Sequence, residues 1–202
     1  MGAPMIGGTD ESALGEAIAV LGSGGTVVLP TDTVYGLAAL PSVEGATRAL
    51  FDLKGRSEDH PLAVLVADLD QALDLVTFDE PAVGRWMAEL WPGPLTIVLR
   101  RSAVAAGLAL GGGPATIGVR CPDHPFVRAL AAEVGPIATT SANRTGDPTP
   151  VDAAAAAASL VGAVDLVIDG GPAGTVASTV VDASGDGWTI LREGAITADQ
   201  LG

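Results

Sequence analysis

The chain has 202 residues, 48% hydrophobic and 17% charged, with Lys+Arg 10 against Asp+Glu 24 and a formal net charge of −14. A mean hydropathy of +0.43 excludes intrinsic disorder, and the length suits one domain with a core of its own. The acidity excludes a broad nucleic-acid-binding surface, which would need Lys and Arg matched to phosphates.

In chain order, Asp10 and Glu11 head an apolar series, Leu14, Ala17, Ile18 and Leu21, at helical spacing, closed by Gly24-Gly25. Thr26 to Leu29 reads as a buried strand, and Ser42 to Leu53 as a helix that delivers Lys54 at its end. Leu62 to Val66, continuously apolar, reads as a central strand covered on both faces. Helical spacing returns at Asp68 to Val76 and at Glu80 to Leu90. Trp91-Pro92-Gly93-Pro94 is a rigid break before the strand Leu95 to Leu99. Further strands are expected at Ala115 to Val119, Pro136 to Thr140, Asp165 to Ile168, Thr179 to Val181 and Trp188 to Leu191, with helices at His124 to Glu133 and Asp152 to Leu160. The alanine run Ala153 to Ala158 is helix propensity on a packed face, and Gly111-Gly112-Gly113-Pro114 is the expected mobile loop. The pattern predicts an α/β fold whose sheet has parallel and antiparallel parts.

Several chemistries are absent. The only lysine follows Leu53, so there is no Walker A loop, and neither a G-x-G-x-x-G nor a G-x-S-x-G sequence occurs. Cys121, as the single cysteine, cannot form an internal disulfide, and with His60 and His124 it gives no closed zinc site. Met1 to Asp10 lacks the flank and apolar run of a signal peptide, and no stretch approaches the roughly 18 apolar residues of a membrane span. A cytoplasmic protein with no membrane partner is expected.

Polar groups gather instead at element ends, where ligands of open α/β sheets collect. Pro30-Thr31-Asp32-Thr33-Val34-Tyr35-Gly36 follows the first strand; taken alone it reads as a capping turn. Lys54-Gly55-Arg56 reads alone as a solvated charge pair, and Ser141-Ala142-Asn143 as an Asx turn. Arg120 closes a strand, where its fork could grip a carboxylate or phosphate in bidentate fashion. With Arg192 ending the last strand, four cations, Lys54, Arg56, Arg120 and Arg192, sit at element ends of an acidic chain. Their convergence would make one anion pocket.

These motifs, with Gly24-Gly25-Thr26, Pro61-Leu62, Trp91-Pro92-Gly93-Pro94-Leu95-Thr96, Pro122, His124-Pro125, Ser178-Thr179, Leu191-Arg192 and Gly194, run in the order of the YrdC-like L-threonylcarbamoyladenylate synthases, which the chain resembles from about Gly24 to Gly194. The resemblance implies a YrdC-like single domain over residues 1–202, the short form of the family, with a twisted mixed parallel/antiparallel sheet and flanking helices around a basic cavity. It implies a nucleotidyltransferase that joins L-threonine, bicarbonate or CO2 and ATP into threonylcarbamoyl-AMP and pyrophosphate, with Mg2+ accompanying ATP. The product would pass to tRNA threonylcarbamoyl-transfer proteins for N6-threonylcarbamoyladenosine synthesis, with at most a weak tRNA contact. By resemblance Lys54, Arg56, Thr116, Ser141, Thr149 and Arg192 take ATP. Thr31, Arg120, Thr140 and Ser178 take threonine, Arg120 holding its carboxylate. Lys54, Arg56, Ser141 and Asn143 form the catalytic set, Asn143 orienting phosphate or metal-bound water, and Tyr35 walls the pocket. The protein itself supplies no resident metal site. Ser57 and Thr140 stand where the family often has proline, and neither change removes a charge. Two readings compete: a paralogue that keeps the cavity without this synthase activity, and an RNA-binding module, which the charge of −14 makes secondary.

Overall fold

The structure, a computed structural model, describes residues 3–202. Its elements in chain order are β1 (Met5–Gly7), α1 (Ala13–Gly22), β2 (Val27–Leu29), β3 (Gly36–Ala39), α2 (Arg48–Lys54), β4 (Ala63–Leu65), α3 (Leu69–Leu75), β5 (Val76–Thr77), α4 (Pro81–Leu90) and β6 (Leu95–Arg101). A 3-10 turn at Val104–Gly107 leads to β7 (Thr116–Arg120), α5 (Pro125–Val134), β8 (Ile137–Ser141), α6 (Ala153–Ala158), β9 (Leu166–Asp169), β10 (Thr179–Asp182), β11 (Thr189–Arg192) and α7 (Ala198–Leu201).

The described strands form one sheet in the order β1-β9-β2-β3-β8-β4-β7-β6-β10-β11, with β5 paired to β6. It is mixed, as the sequence pattern predicts: β2–β9, β4–β7 and β6–β10 are parallel, while β2–β3, β3–β8, β4–β8, β6–β7 and β10–β11 are antiparallel.

Because side chains alternate across a strand, each strand divides its residues between two layers. Val28, Leu37, Val64, Ile97, Leu99, Val119, Ala138, Val167 and Val181 enter the larger core cluster, which Leu50 and Phe51 of α2, Trp86 and Met87 of α4 and Ala153 and Ala156 of α6 cover. Val27, Leu29, Ala38, Ile137, Leu166 and Ile168 point the other way, under Ala13, Ala17 and Leu21 of α1 and Val127, Leu130 and Ala131 of α5. Those two helices cover β9, β2 and β3 and the ends of β8 and β4 at Ile137 and Leu65, leaving the rest of that face bare. On the same face, β8, β4, β7, β6 and β10 present Thr139, Ala63, Gly118, Thr116, Thr96, Val98 and Val180 to a cavity. The expectation that Leu62 to Val66 is covered on both faces is therefore corrected. Val64 enters the core, whereas Ala63 faces the cavity.

Two other expectations change. The helix expected from Ser42 begins only at Arg48, because Gly45 adopts φ 77 and residues 43–47 turn through bonds such as Ala46 N–H to Val43 O. Gly111-Gly112 is a tied turn rather than a free loop: Gly112 N–H donates to Glu58 O at 2.7 Å, and a Cβ on Gly111 would lie 2.6 Å from that carbonyl. Among the described residues no helix is long and apolar enough to cross a membrane.

Candidate functional site

The cavity encloses about 350 Å³. Its floor is hollow because Gly36, Ala63 and Gly118 place little or no side chain where neighbouring strands carry threonines and valines. Ordinary contacts are all that a Cβ at Gly118 would meet, 3.5 Å from Thr96, 3.7 Å from Val98 and 3.8 Å from Ala63. Gly118→Ile is thus expected to fill the floor and abolish ligand binding. The unfolding midpoint should hold or rise, since a β-branched residue suits a strand better than glycine. Thermal shifts with and without ligand check it; ligand stabilisation of the variant equal to wild type would refute the floor assignment.

Arg120 is 5% exposed and fully marshalled by its neighbours. Nε donates to Gly93 O at 3.0 Å, Nη1 to Thr33 Oγ1 at 2.9 Å and Nη2 to Asp32 Oδ1 at 2.5 Å. Each Nη has a second N–H, so the fork is aimed and half free. Asp32 and Arg120 form the one ion pair among the described residues with both side chains mostly buried, 13% and 6% exposed. Gly93 has a structural reason to be glycine: a Cβ would lie 2.4 Å from Leu90 O.

Arg56 extends from the end of α2 and donates to Thr140 Oγ1 at 3.1 Å and to Pro61 O at 3.2 Å, while its buried Nε has no partner. Arg192 closes on Ser178, bonding its carbonyl at 2.8 Å and its hydroxyl at 3.1 Å. Gly194 permits that closure, because a Cβ there would lie 2.3 Å from Ala177 O.

Behind the wall, Lys54 Nζ donates to Ser141 O at 2.5 Å, Asn143 O at 2.6 Å and Asn143 Oδ1 at 3.2 Å. Asn143 also accepts from Ser141 Oγ at 2.6 Å and donates to Asp147 O at 2.6 Å. Burial, and then the charge of Arg56, hold the Lys54 ammonium down to about 8. Burial lowers Arg56 and Arg192 as well, with the charges of Arg192 and Arg120 respectively adding to it. Lys54, Arg56, Arg192 and Arg120 thus form a chain of mutually repelling cations that, among the described residues, only Asp32 offsets by direct pairing. Such a cluster in a concave, half-desolvated site favours anions.

Of the residues singled out in the sequence, Thr31, Arg56, Thr116, Arg120, Thr140, Ser141, Ser178 and Arg192 line the cavity. Lys54 and Asn143 are buried just behind Ser141 and reach it through hydrogen bonds. Thr149 lies outside the lining, on the segment leading to α6. Tyr35 is not a wall either. It is fully buried, donates to Gly171 O at 2.6 Å and accepts from Gly170 N–H at 3.1 Å, which ties the Pro30–Gly36 turn to the loop after β9. Thr31 keeps its bland role alongside the other: its hydroxyl bonds Val34 O at 2.6 Å within the turn. Cys121 is a buried free thiol, pushed up by burial, and no group of three or more His, Cys, Asp or Glu residues able to hold a metal occurs among the described residues. Sequence reading passed over Asp32 and Thr33 as supports of Arg120, and Thr96, which lines the cavity and meets Ser178 Oγ at 2.9 Å. The period-2 pattern Thr96-Ile97-Val98-Leu99 was the available signal for Thr96.

Fold and site together define an α/β protein with a cation-lined pocket on the bare half of one sheet face. The Sua5_yciO_yrdC family model, described as telomere recombination, matches residues 19–194. A Bacillus subtilis (strain 168) protein named threonylcarbamoyl-AMP synthase is 38% identical over 195 residues, 96% of this chain and 56% of that protein. This chain thus spans little more than half the length of that relative. The crystal structure of P. abyssi Sua5 complexed with L-threonine superposes with a TM-score of 0.84 at 32% identity, over 99% of this chain and 59% of that one. E. coli YciO superposes with a TM-score of 0.85 at 26% identity, over 99% of this chain and 98% of that one. The chain belongs to the Sua5/YciO/YrdC family.

Proposed function

We propose that the protein is an L-threonylcarbamoyladenylate synthase, a nucleotidyltransferase acting in the cytoplasm, with residues 1–202 as one YrdC-like domain. The observation that carries this reading is the convergence of Arg56, Arg120 and Arg192 with Thr31, Thr116, Thr140, Ser141 and Ser178 on one cavity. The names of the B. subtilis and P. abyssi relatives support it.

In this reading L-threonine captures CO2 as a carbamate. A carbamate oxygen attacks the α-phosphorus of ATP, and pyrophosphate leaves. Every stage carries negative charge, so the protein's work is positioning and fixed positive charge rather than covalent catalysis. Arg120 presents its free N–H groups to the threonine carboxylate beside the hydroxyls of Thr31, Thr140 and Ser178. Arg56 and Arg192, with Thr116 and Ser141, take the nucleotide. Lys54 holds Ser141 and Asn143 in register from behind and adds its charge. Thr149, away from the cavity wall, would serve ATP only through movement of the segment that carries it. The residues suit a Mg2+ ion that arrives on the phosphates. One carboxylate at the rim, Asp59, and the Thr140 and Ser141 hydroxyls are too few for an all-protein site but enough to complete the shell of a phosphate-bound ion. That ion would neutralise phosphate charge as pyrophosphate leaves. The product would pass to tRNA threonylcarbamoyl-transfer proteins.

The test is mass spectrometry of a reaction containing ATP, Mg2+, L-threonine and bicarbonate, each omitted in turn. Threonylcarbamoyl-AMP and pyrophosphate are expected only from the complete mixture. Intact ATP under every condition would overturn the reading in favour of a non-synthase paralogue.

Lys54 adds a pH test. The fold holds its pKa near 8 against 10.5 for a free lysine. Below 8 the fold bears the cost of a buried charge, so this residue's contribution to stability rises with pH between those values. Polyphosphate favours the ammonium, so ATP binding at pH 8 is expected to take up a fraction of a proton. Calorimetry in buffers of different ionisation enthalpy measures this, with Lys54→Arg, which keeps the charge and stays protonated, as the control. No uptake at pH 8, or the same uptake in the variant, would refute the coupling.

A further inference from the structure

Thr96 and Ser178 are each 5% exposed, line the cavity and stand 2.9 Å apart, oxygen to oxygen. Arg192, which can only donate, gives one Nη2–H to Ser178 Oγ at 3.1 Å. Between them the two hydroxyls own two protons, and the bond joining them uses one. Neither hydroxyl has any other acceptor among the described residues, so one buried O–H is left over. A buried donor without an acceptor is costly and calls for a partner.

The arrangement also has a direction. With Ser178 accepting from Arg192 and donating to Thr96, all the dipoles point the same way and each bond strengthens the next. The spare proton then belongs to Thr96. The strand register says what it meets. Ile97 pairs with Val119 in the antiparallel β6–β7 pair and Thr96 with Val180 of β10, so Thr96, one residue before Ile97, and Arg120, one after Val119, face each other on the cavity side of neighbouring strands. A polarised hydroxyl beside a half-free guanidinium suits a planar anion with two oxygens.

We propose that Thr96 is a further substrate-binding residue, whose hydroxyl, at the end of the Arg192–Ser178–Thr96 relay, donates to an oxygen of a –CO2⁻ group held by Arg120. The inference rests on the function proposed above, in which that group has two sources, the carboxylate of L-threonine and the carbamate formed on its amine.

Thr96→Val removes the hydroxyl while keeping the branched shape, and Ser178 retains its bond to Arg192, so the fold should survive. Thr96→Ala is the second variant, and Thr96→Ser restores the donor. Two measurements separate the sources. Calorimetric binding of L-threonine without ATP or bicarbonate reads the amino-acid carboxylate, and the bicarbonate dependence of turnover at saturating L-threonine reads the carbamate. Thr96→Val and Thr96→Ala are expected to weaken one of the two by about tenfold or more, with Thr96→Ser recovering most of the loss and the KM for ATP unmoved. If wild type forms the adenylate and both hydroxyl-free variants match it in both measurements, the Thr96 assignment falls and the function stands. If wild type binds L-threonine, Thr96→Val does not, and neither forms adenylate, the assignment stands and the function falls. Wild type that neither binds nor turns over overturns both.

Discussion

Arg120→Ala is expected to raise the L-threonine requirement by about a hundredfold or more, against a few-fold change for ATP. Truncating one side of a desolvated, hydrogen-bonded charge pair typically costs about 2–5 kcal/mol, and Arg120 would pair with the carboxylate from a mostly buried position. The same substitution strands Asp32, whose side chain is 13% exposed, together with Thr33 Oγ1 and Gly93 O. Breaking a buried pair in this way costs about 3–5 kcal/mol of stability, enough to unfold a marginal domain. Arg120→Lys is therefore the informative partner. It keeps the charge opposite Asp32 but loses the fork, so the fold should persist while L-threonine affinity drops. Steady-state KM values for both substrates, read beside the unfolding midpoint, check this. An unchanged L-threonine KM in folded Arg120→Lys would refute the carboxylate role.

Lys54→Met should abolish adenylate formation, with turnover down by about a thousandfold. Two backbone carbonyls, Ser141 O and Asn143 O, and the Asn143 side chain converge on Nζ. Ser141 O keeps Asn143 N–H at 3.0 Å and Asn143 Oδ1 keeps Ser141 Oγ at 2.6 Å, but Asn143 O has no other donor among the described residues, and a buried acceptor left bare costs about 1–3 kcal/mol. The Ser141–Asn143 turn would re-form elsewhere, carrying Ser141 out of the cavity wall and removing one positive charge from the cluster. Because Arg56 sits two residues on, the nucleotide side should suffer most. Pyrophosphate release and ATP binding by the folded variant measure it, and near-wild-type turnover would sink the assignment.

Much of this was legible before folding. Runs such as Leu95 to Leu99 and Ala115 to Val119 announced strands through β-branched residues, and the cations at element ends announced a shared pocket. The sheet's partners were not legible, because strand order follows from long-range pairing. β3 was missed because Gly36-Leu37-Ala38-Ala39 has little β propensity; it is a strand because β2 and β8 flank it on both sides. Lys54 and Asn143 could be named from motifs, but their place behind Ser141 depends on α2 ending against β8. The support of Arg120 by Asp32 and Gly93 joins positions 88 and 27 residues away, a distance no local pattern spans.

The sheet order makes the pocket a late product of folding. Thr31 follows β2, Arg120 ends β7 and Arg192 ends β11, the outermost strand beside β10. The wall runs from Thr31 to Arg192, so no short contiguous fragment of the chain contains it. A nascent or clipped protein lacking β10 and β11 would therefore expose the hollow face without the Ser178–Arg192 rim. Ligand occupancy then reports completion of the whole sheet, and substrate should protect distant loops from proteases in proportion to its concentration.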